Sequence, residues 1–136
     1  MTLSHPAFLY VEDDALSRRI IDVMLRQVMG FSNTTIFDNS ADFLDRLRAL
    51  PTIPDVVFLD VQIRPHDGYE VLNLLRQDST YRDVPVIAMT ANVMSHDVEH
   101  LKKAGFSGLI GKPILKEVFP QLVKNILNGE AVWYVP

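Results

Sequence analysis

The sequence predicts an α/β fold: a doubly wound, five-stranded parallel sheet with helices on both faces. Three observations carry this. Short apolar runs and helix-period segments alternate five times along the 136 residues. The runs are almost continuously apolar, as strands covered on both faces are. Their carboxyl ends collect acids, a hydroxyl and an amine, where open parallel sheets build their sites.

Phe8-Leu9-Tyr10-Val11 reads as the first strand and ends in Glu12-Asp13-Asp14. Leu16, Ile20, Met24 and Val28 then recur at helical spacing, with Arg18, Arg19 and Asp22 on another face. Gly30 stops that helix. Thr34-Thr35-Ile36-Phe37 is the second strand, and Asp38-Asn39-Ser40 offers cap chemistry for a helix with Phe43, Leu44, Leu47 and Leu50. Pro51 and Pro54 end that helix and lead into the third strand, Val56 to Leu59, which closes on Asp60. After Arg64-Pro65-His66-Asp67-Gly68 comes a helix with Val71, Leu72 and Leu75. Val86-Ile87-Ala88-Met89 is the fourth strand and ends on Thr90. A more polar helix runs through Met94, Val98 and Leu101 to Gly105, and Gly108-Leu109-Ile110-Gly111 is the fifth strand, ending on Lys112-Pro113. The last helix carries Val118, Leu122, Val123, Ile126 and Leu127. Pro120 lies early in it, and a proline removes a helical hydrogen bond, so a late start or a kink is expected there.

The chain suits one domain, residues 1–129, with an apolar tail at 130–136 that holds the single tryptophan, Trp133. The tail reads either as a cover for an apolar surface or as a loose end. A net charge of −4 argues against a nucleic-acid partner, which needs a basic surface. The absence of cysteine excludes a disulfide frame and a thiolate metal site and suits a cytoplasmic protein. No apolar run approaches the ~18 residues of a membrane span. Met1 to Pro6 lack the layout of a secretory signal.

Glu12, Asp13, Asp60, Thr90 and Lys112 all fall at strand ends. Three carboxylates in one cleft repel unless a cation or a proton intervenes. Mg²⁺ suits such an oxygen set; zinc would want histidine or cysteine. A metal, the Lys112 ammonium and the Thr90 hydroxyl around Asp60 make a site that stabilises a phosphoryl group in transfer, with Asp60 as nucleophile. Each piece also has a plainer reading: Glu12-Asp13-Asp14 as helix N-terminal acids, Thr90 as a turn residue, Lys112 as a solvated loop lysine. The combination favours the site. The four histidines, His5, His66, His96 and His100, are scattered and read as surface residues.

The stretches FLYVEDDALSRRII, PDVVFLDVQIRPHDGYEVL, YRDVPVIAMTAN and AGFSGLIGKPI closely resemble the receiver domain of two-component response regulators. The resemblance runs from about Ala7 to Leu127. It implies the flavodoxin-like strand order 2-1-3-4-5. It implies Asp60 as phosphoacceptor, Glu12 and Asp13 as the acidic pair with Asp13 the direct Mg²⁺ ligand, and Gln62 as a backbone-carbonyl ligand. Thr90 becomes the switch hydroxyl and Lys112 the phosphate-pairing amine, with Ala91 the small residue beside the switch. Gln62 and Asn92 take the positions that tune phosphoryl lifetime. The implied partners are a histidine kinase or histidine phosphotransfer protein, and an effector at the face of the fourth helix, fifth strand and fifth helix (Met94, Val98, Leu109, Val118). A phosphorylation-linked homodimer is a further implication. The family is not one of enzymes that turn over a separate substrate.

Three features depart from the family pattern. Arg64 stands where a proline is usual, with Pro65 following. Leu109 stands at the switch position that usually holds an aromatic ring. Pro120 sits in the last helix. Two other readings compete: a non-phosphorylated pseudo-receiver acting as an interaction module, and an aspartyl phosphatase. Against the second, Gln62 cannot serve as the general acid expected two residues after the nucleophile.

Overall fold

The computed structural model describes residues 5–91 and 94–136. Six parallel strands form one sheet in the order β2-β1-β3-β4-β5-β6. They are β1 (Phe8–Val11), β2 (Thr34–Phe37), β3 (Val56–Asp60), β4 (Val86–Thr90), β5 (Gly108–Gly111) and β6 (Trp133–Tyr134). The helices are α1 (Ala15–Asp22), α2 (Phe43–Arg48), α3 (Gly68–Gln77), α4 (Ser95–Ala104) and α5 (Phe119–Leu127).

Successive strand residues point to opposite faces, so each strand feeds two cores. Leu9, Val57, Leu59, Ala88 and Leu109 join Phe43 and Leu47 of α2, Val71 and Leu75 of α3, and Leu101 of α4. Phe8, Tyr10, Phe58, Met89 and Ile110 join Ile21 of α1 and Phe119 and Val123 of α5. The sheet is thus covered on both sides, as the apolar strands required. No helix among the described residues is long and apolar enough to cross a membrane.

The register aligns the carboxyl ends. Val11 lies level with Leu59, Asp60 with Met89, and Thr90 with Gly111. Gly68 lets α3 start against the end of β3. A Cβ there would stand 2.7 Å from Val61 Cα and 2.9 Å from the Asp60 carbonyl oxygen.

Three expectations need correction and one is extended. The first concerns the core stripe of α1, which is Ile21, Met24 and Leu25; Leu16 and Val28 are 66% and 59% exposed and Ile20 is 36% exposed. A strict four-residue spacing drifts by about 40° per step around a helix of 3.6 residues per turn, which carries both ends of that row off the sheet. The helix also widens into a π-helical segment over Val23–Val28, with Met29 N–H bonding the Met24 carbonyl.

Secondly, Asp38-Asn39-Ser40 does not cap α2. The residue before that helix is Asp42, in the left-handed region at φ 50° with no side-chain cap. Asn39 Oδ1 accepts from Ala41 N–H, and Ser40 turns inward.

Thirdly, the five expected strands keep the order 2-1-3-4-5, and the tail, read above as a cover or a loose end, adds a short sixth. The tail adds β6 beside β5, with Leu109 paired to Trp133 and Ile110 to Tyr134. Val132 is buried, and its carbonyl accepts Leu109 N–H at 2.8 Å. This close approach needs Gly108, where a Cβ would meet the Val132 oxygen at 2.5 Å.

Fourthly, Leu109 presents no surface: it is fully buried, and β6 takes the outer edge of its strand. Met94 remains exposed, and Val98 and Val118 are half-buried. The expectation for Pro120 holds, since α5 begins at Phe119 and seats the proline in its first turn.

Candidate functional site

Four strands deliver the site. Glu12 follows β1, Asp60 ends β3, Thr90 ends β4 and Lys112 follows β5. Glu12 is fully buried, and Asp60 and Thr90 nearly so. Lys112 Nζ lies 2.5 Å from Glu12 Oε1 and 3.3 Å from Asp60 Oδ2. Carboxylate oxygens of Glu12, Asp13 and Asp60 all lie within 4.8 Å of one another, with Asp13 on the exposed side.

The three consecutive acids divide their work. Asp14 is the N-cap of α1, its Oδ2 accepting from Ser17 N–H at 2.9 Å and from the Ser17 hydroxyl at 2.7 Å. Those hydrogen bonds hold its carboxyl below the ordinary range. Glu12 and Asp13 belong to the cleft. The plain reading as helix acids is therefore right for Asp14 alone.

Glu12 is heavily engaged. Its Oε1 also accepts from the Tyr10 hydroxyl at 2.7 Å, and Arg18 Nη1 donates to its backbone carbonyl at 3.0 Å. Burial pushes the Glu12 carboxyl up, and the neighbouring Asp60 adds to this, against the opposing pull of Lys112 and Tyr10. Burial likewise pushes the Tyr10 hydroxyl far above its usual range, with Glu12 adding to it. For Lys112, burial disfavours the ammonium, but the hydrogen bond to Glu12 and the charges of Asp60 and Glu12 outweigh it and hold its pKa above the ordinary value.

The loop after β3 is fixed at both ends. Asp60 Oδ1 accepts from Gln62 N–H at 3.0 Å, and the Val61 carbonyl accepts from Gly68 N–H at 2.9 Å. The Arg64–Pro65 peptide is cis, as is Lys112–Pro113. Arg64 and His66 are exposed, and His66 Nδ1 lies 3.1 Å from Glu70 Oε2 on the surface. Asn92 lies outside the described residues.

Two residues at this edge were not singled out from the sequence. Tyr10 reads as core, although its two-residue offset from Glu12 puts both on one face of the strand. Arg18 reads as a solvated helix charge. The alternation rule could have found the first; only the folded chain reveals the second.

Residues 8–124 match the response regulator receiver domain family. The chain is 31% identical over 118 residues to the polar-differentiation response regulator DivK of Brucella anthropi, covering 87% of this chain and 93% of that protein. Its fold superposes on the receiver domain of a histidine kinase from Syntrophus aciditrophicus with a TM-score of 0.77, at 27% identity and 91% coverage of each chain. A sensor kinase receiver domain from Pseudomonas aeruginosa, with magnesium coordinated in its active-site cleft, gives a TM-score of 0.78 at 24% identity, covering 92% of this chain and 99% of that one. Family match, relative and fold agree, and the chain belongs to the response regulator receiver domain family.

Proposed function

We propose that Asp60 accepts a phosphoryl group from a phosphohistidine of a histidine kinase or histidine phosphotransfer protein. The observation that carries this is the Lys112 ammonium set against Glu12 and Asp60 beside the exposed Asp13. In the transfer an Asp60 carboxylate oxygen bonds to phosphorus as the phosphorus–nitrogen bond to imidazole breaks. Lys112 orients the Asp60 carboxylate beforehand and pairs with a phosphoryl oxygen afterwards. Thr90, at the end of the neighbouring strand, supplies a hydroxyl to the same group.

The donor set fits a hard divalent cation: three carboxylates in reach of one another, one of them open to solvent. Glu12 Oε1 is taken by Lys112 and Tyr10 and its Oε2 by the Asp14 N–H at 3.3 Å, so Asp13 and Asp60 would hold the ion most directly, with the Gln62 carbonyl as a third donor and Glu12 completing the acidic cluster. When bound, Mg²⁺ neutralises charge on the phosphoryl oxygens. Gln62 and Asn92 set how readily water reaches the phosphoryl group. No separate substrate is turned over.

An apolar groove supports docking of a protein donor. Ile20 of α1, Val23 of the π-helical turn after it, and Ile114 and Leu115 after Lys112-Pro113 line an open apolar groove of about 450 Å³, with Arg19, Lys116 and Glu117 as its charged neighbours. It adjoins the site on both sides, since α1 follows Asp13 and Ile114 follows Pro113. A helix presenting the phosphohistidine fits it. An output surface on α4 and α5, beside Thr90, is the reading that the covering of the β5 edge by β6 and the burial of Leu109 support. The setting is the cytoplasm.

The test is incubation with Mg²⁺ and a small phosphodonor, followed by intact mass. One added phosphoryl group is expected for the wild type and none for Asp60→Asn. An unmodified wild type would instead mark a pseudo-receiver that works by docking alone.

A further inference from the structure

Ser40 is fully buried although it belongs to the loop between β2 and α2. Its hydroxyl donates to the His66 carbonyl at 2.6 Å and accepts from His66 N–H at 2.8 Å. Its own N–H donates to the Arg64 carbonyl at 2.9 Å. Three hydrogen bonds from one residue thus hold the far end of the loop whose near end carries Asp60 and Gln62. They span either side of Pro65, where the chain departs from the usual family pattern.

Ser40 is itself held from behind. Arg46 lies over the Phe37 ring at 4.1 Å. Its Nη1 donates to the Asn39 carbonyl at 3.1 Å, to Asn39 Oδ1 at 2.9 Å and to the Ala41 carbonyl at 3.0 Å. The arginine therefore braces the backbone on both sides of Ser40, and the brace reaches β2 through Phe37.

We propose that Ser40 is a positioning residue for the cation and phosphoryl site: it fixes the loop over residues 61–67, and through it the Gln62 carbonyl relative to Asp60 and Asp13. The inference rests on the functional reading above. It assigns the departure at Arg64-Pro65 a consequence. A proline four residues after the acceptor would stiffen this loop covalently; here a buried hydroxyl from a neighbouring loop holds it. Groups that hold ligands in place without touching the metal tune its affinity. Removing the hydroxyl leaves the His66 N–H and carbonyl without this partner and frees the loop.

The test uses the full chain and Mg²⁺ titration by calorimetry, with Ser40→Ala, Ser40→Thr and Arg46→Met. Ser40→Ala is expected to weaken Mg²⁺ binding on the order of tenfold. The phosphorylation rate at saturating Mg²⁺ should stay close to wild type, so that the metal requirement moves and the ceiling does not. Ser40→Thr keeps the hydroxyl and should restore affinity. Arg46→Met should shift affinity in the same direction, and it decides the matter if Ser40→Ala fails to fold. Wild-type Mg²⁺ affinity in Ser40→Ala, or in Arg46→Met where that variant decides, overturns the proposal while leaving the phosphoacceptor reading intact. Failure of Ser40→Thr to restore affinity also overturns it. A wild type that neither binds Mg²⁺ nor is phosphorylated overturns both.

Discussion

Lys112 is held more closely by Glu12 than by Asp60, at 2.5 Å against 3.3 Å. The ammonium is anchored on a buried acid at the end of β1 and leans toward Asp60 on β3. Anchor and proposed phosphoacceptor are therefore different carboxylates, and this separates the structural from the chemical effects of each substitution.

Lys112→Met removes the cation and leaves Glu12 buried with Asp60 as neighbour. Breaking a buried pair in this way costs roughly 3 kcal/mol at neutral pH. The loss should shrink in acid. Burial first, and Asp60 second, already raise the Glu12 pKa in the folded chain. A group with a raised folded-state pKa contributes fully below its unfolded value and loses that contribution as pH rises through the folded value. Without Lys112 the Glu12 carboxyl rises further, so the deficit grows as pH climbs from the ordinary glutamate range through that raised value. The raised Lys112 pKa puts its own loss at the alkaline end, above the ordinary lysine range of about 10.4. Urea unfolding near pH 7 and near pH 4 checks this; equal deficits at both would refute it.

Mg²⁺ should stabilise the fold by mass action. At about a hundredfold excess over its dissociation constant the gain is roughly 2.7 kcal/mol. Asp13→Asn, on the open side of the cluster, should abolish most of that gain. Asp13 itself is exposed, so the substitution should barely alter the metal-free protein. Denaturation midpoints with Mg²⁺ and with a chelator measure both.

Ile20→Asp places a charge in the groove beside the site. Transfer from a protein phosphodonor should slow by about tenfold or more, as for a central contact worth over 1.4 kcal/mol. Transfer from a small phosphodonor should fall far less. Equal losses with both donors would mean that the groove does not seat the donor.

Ending the chain after Asn128 removes β6. Val132 is buried in the wild type, and Trp133 packs on the core with Lys102 Nζ 5.2 Å from its ring. Their loss should cost about 3 kcal/mol. It also opens the β5 edge, and an apolar edge strand invites pairing with another copy. Calorimetric melting and size-exclusion chromatography test the two effects; an unchanged melting point with a monomeric elution would contradict them.

Gly68→Ala should damage the site from behind. Its Cβ would meet backbone at 2.7 Å and 2.9 Å, where nothing flexible can give way. A loss of about 2 kcal/mol is expected. Phosphorylation should slow as well, because the displaced atoms belong to Asp60 and Val61.

Local patterns set the strands and the site residues. Val56 to Leu59 has one stable placement, inside a covered parallel sheet, and Asp60 then falls at its carboxyl end whatever the helices do. The same holds for Glu12, Thr90 and Lys112, because strand ends are defined by where apolar runs stop. Leu16, Ile20 and Val28 were misplaced because helix period alone does not say which of several apolar rows meets the sheet. Asp38-Asn39-Ser40 was misread because a short polar run caps a helix or bridges two loops equally well, and only the position of the other loop decides. Tertiary structure alone decided that Ser40 meets His66, that Lys112 is shared by Glu12 and Asp60, and that the tail completes the sheet. Each of these joins segments far apart in the chain. Such contacts depend on how distant segments pack together, which no local run of residues encodes.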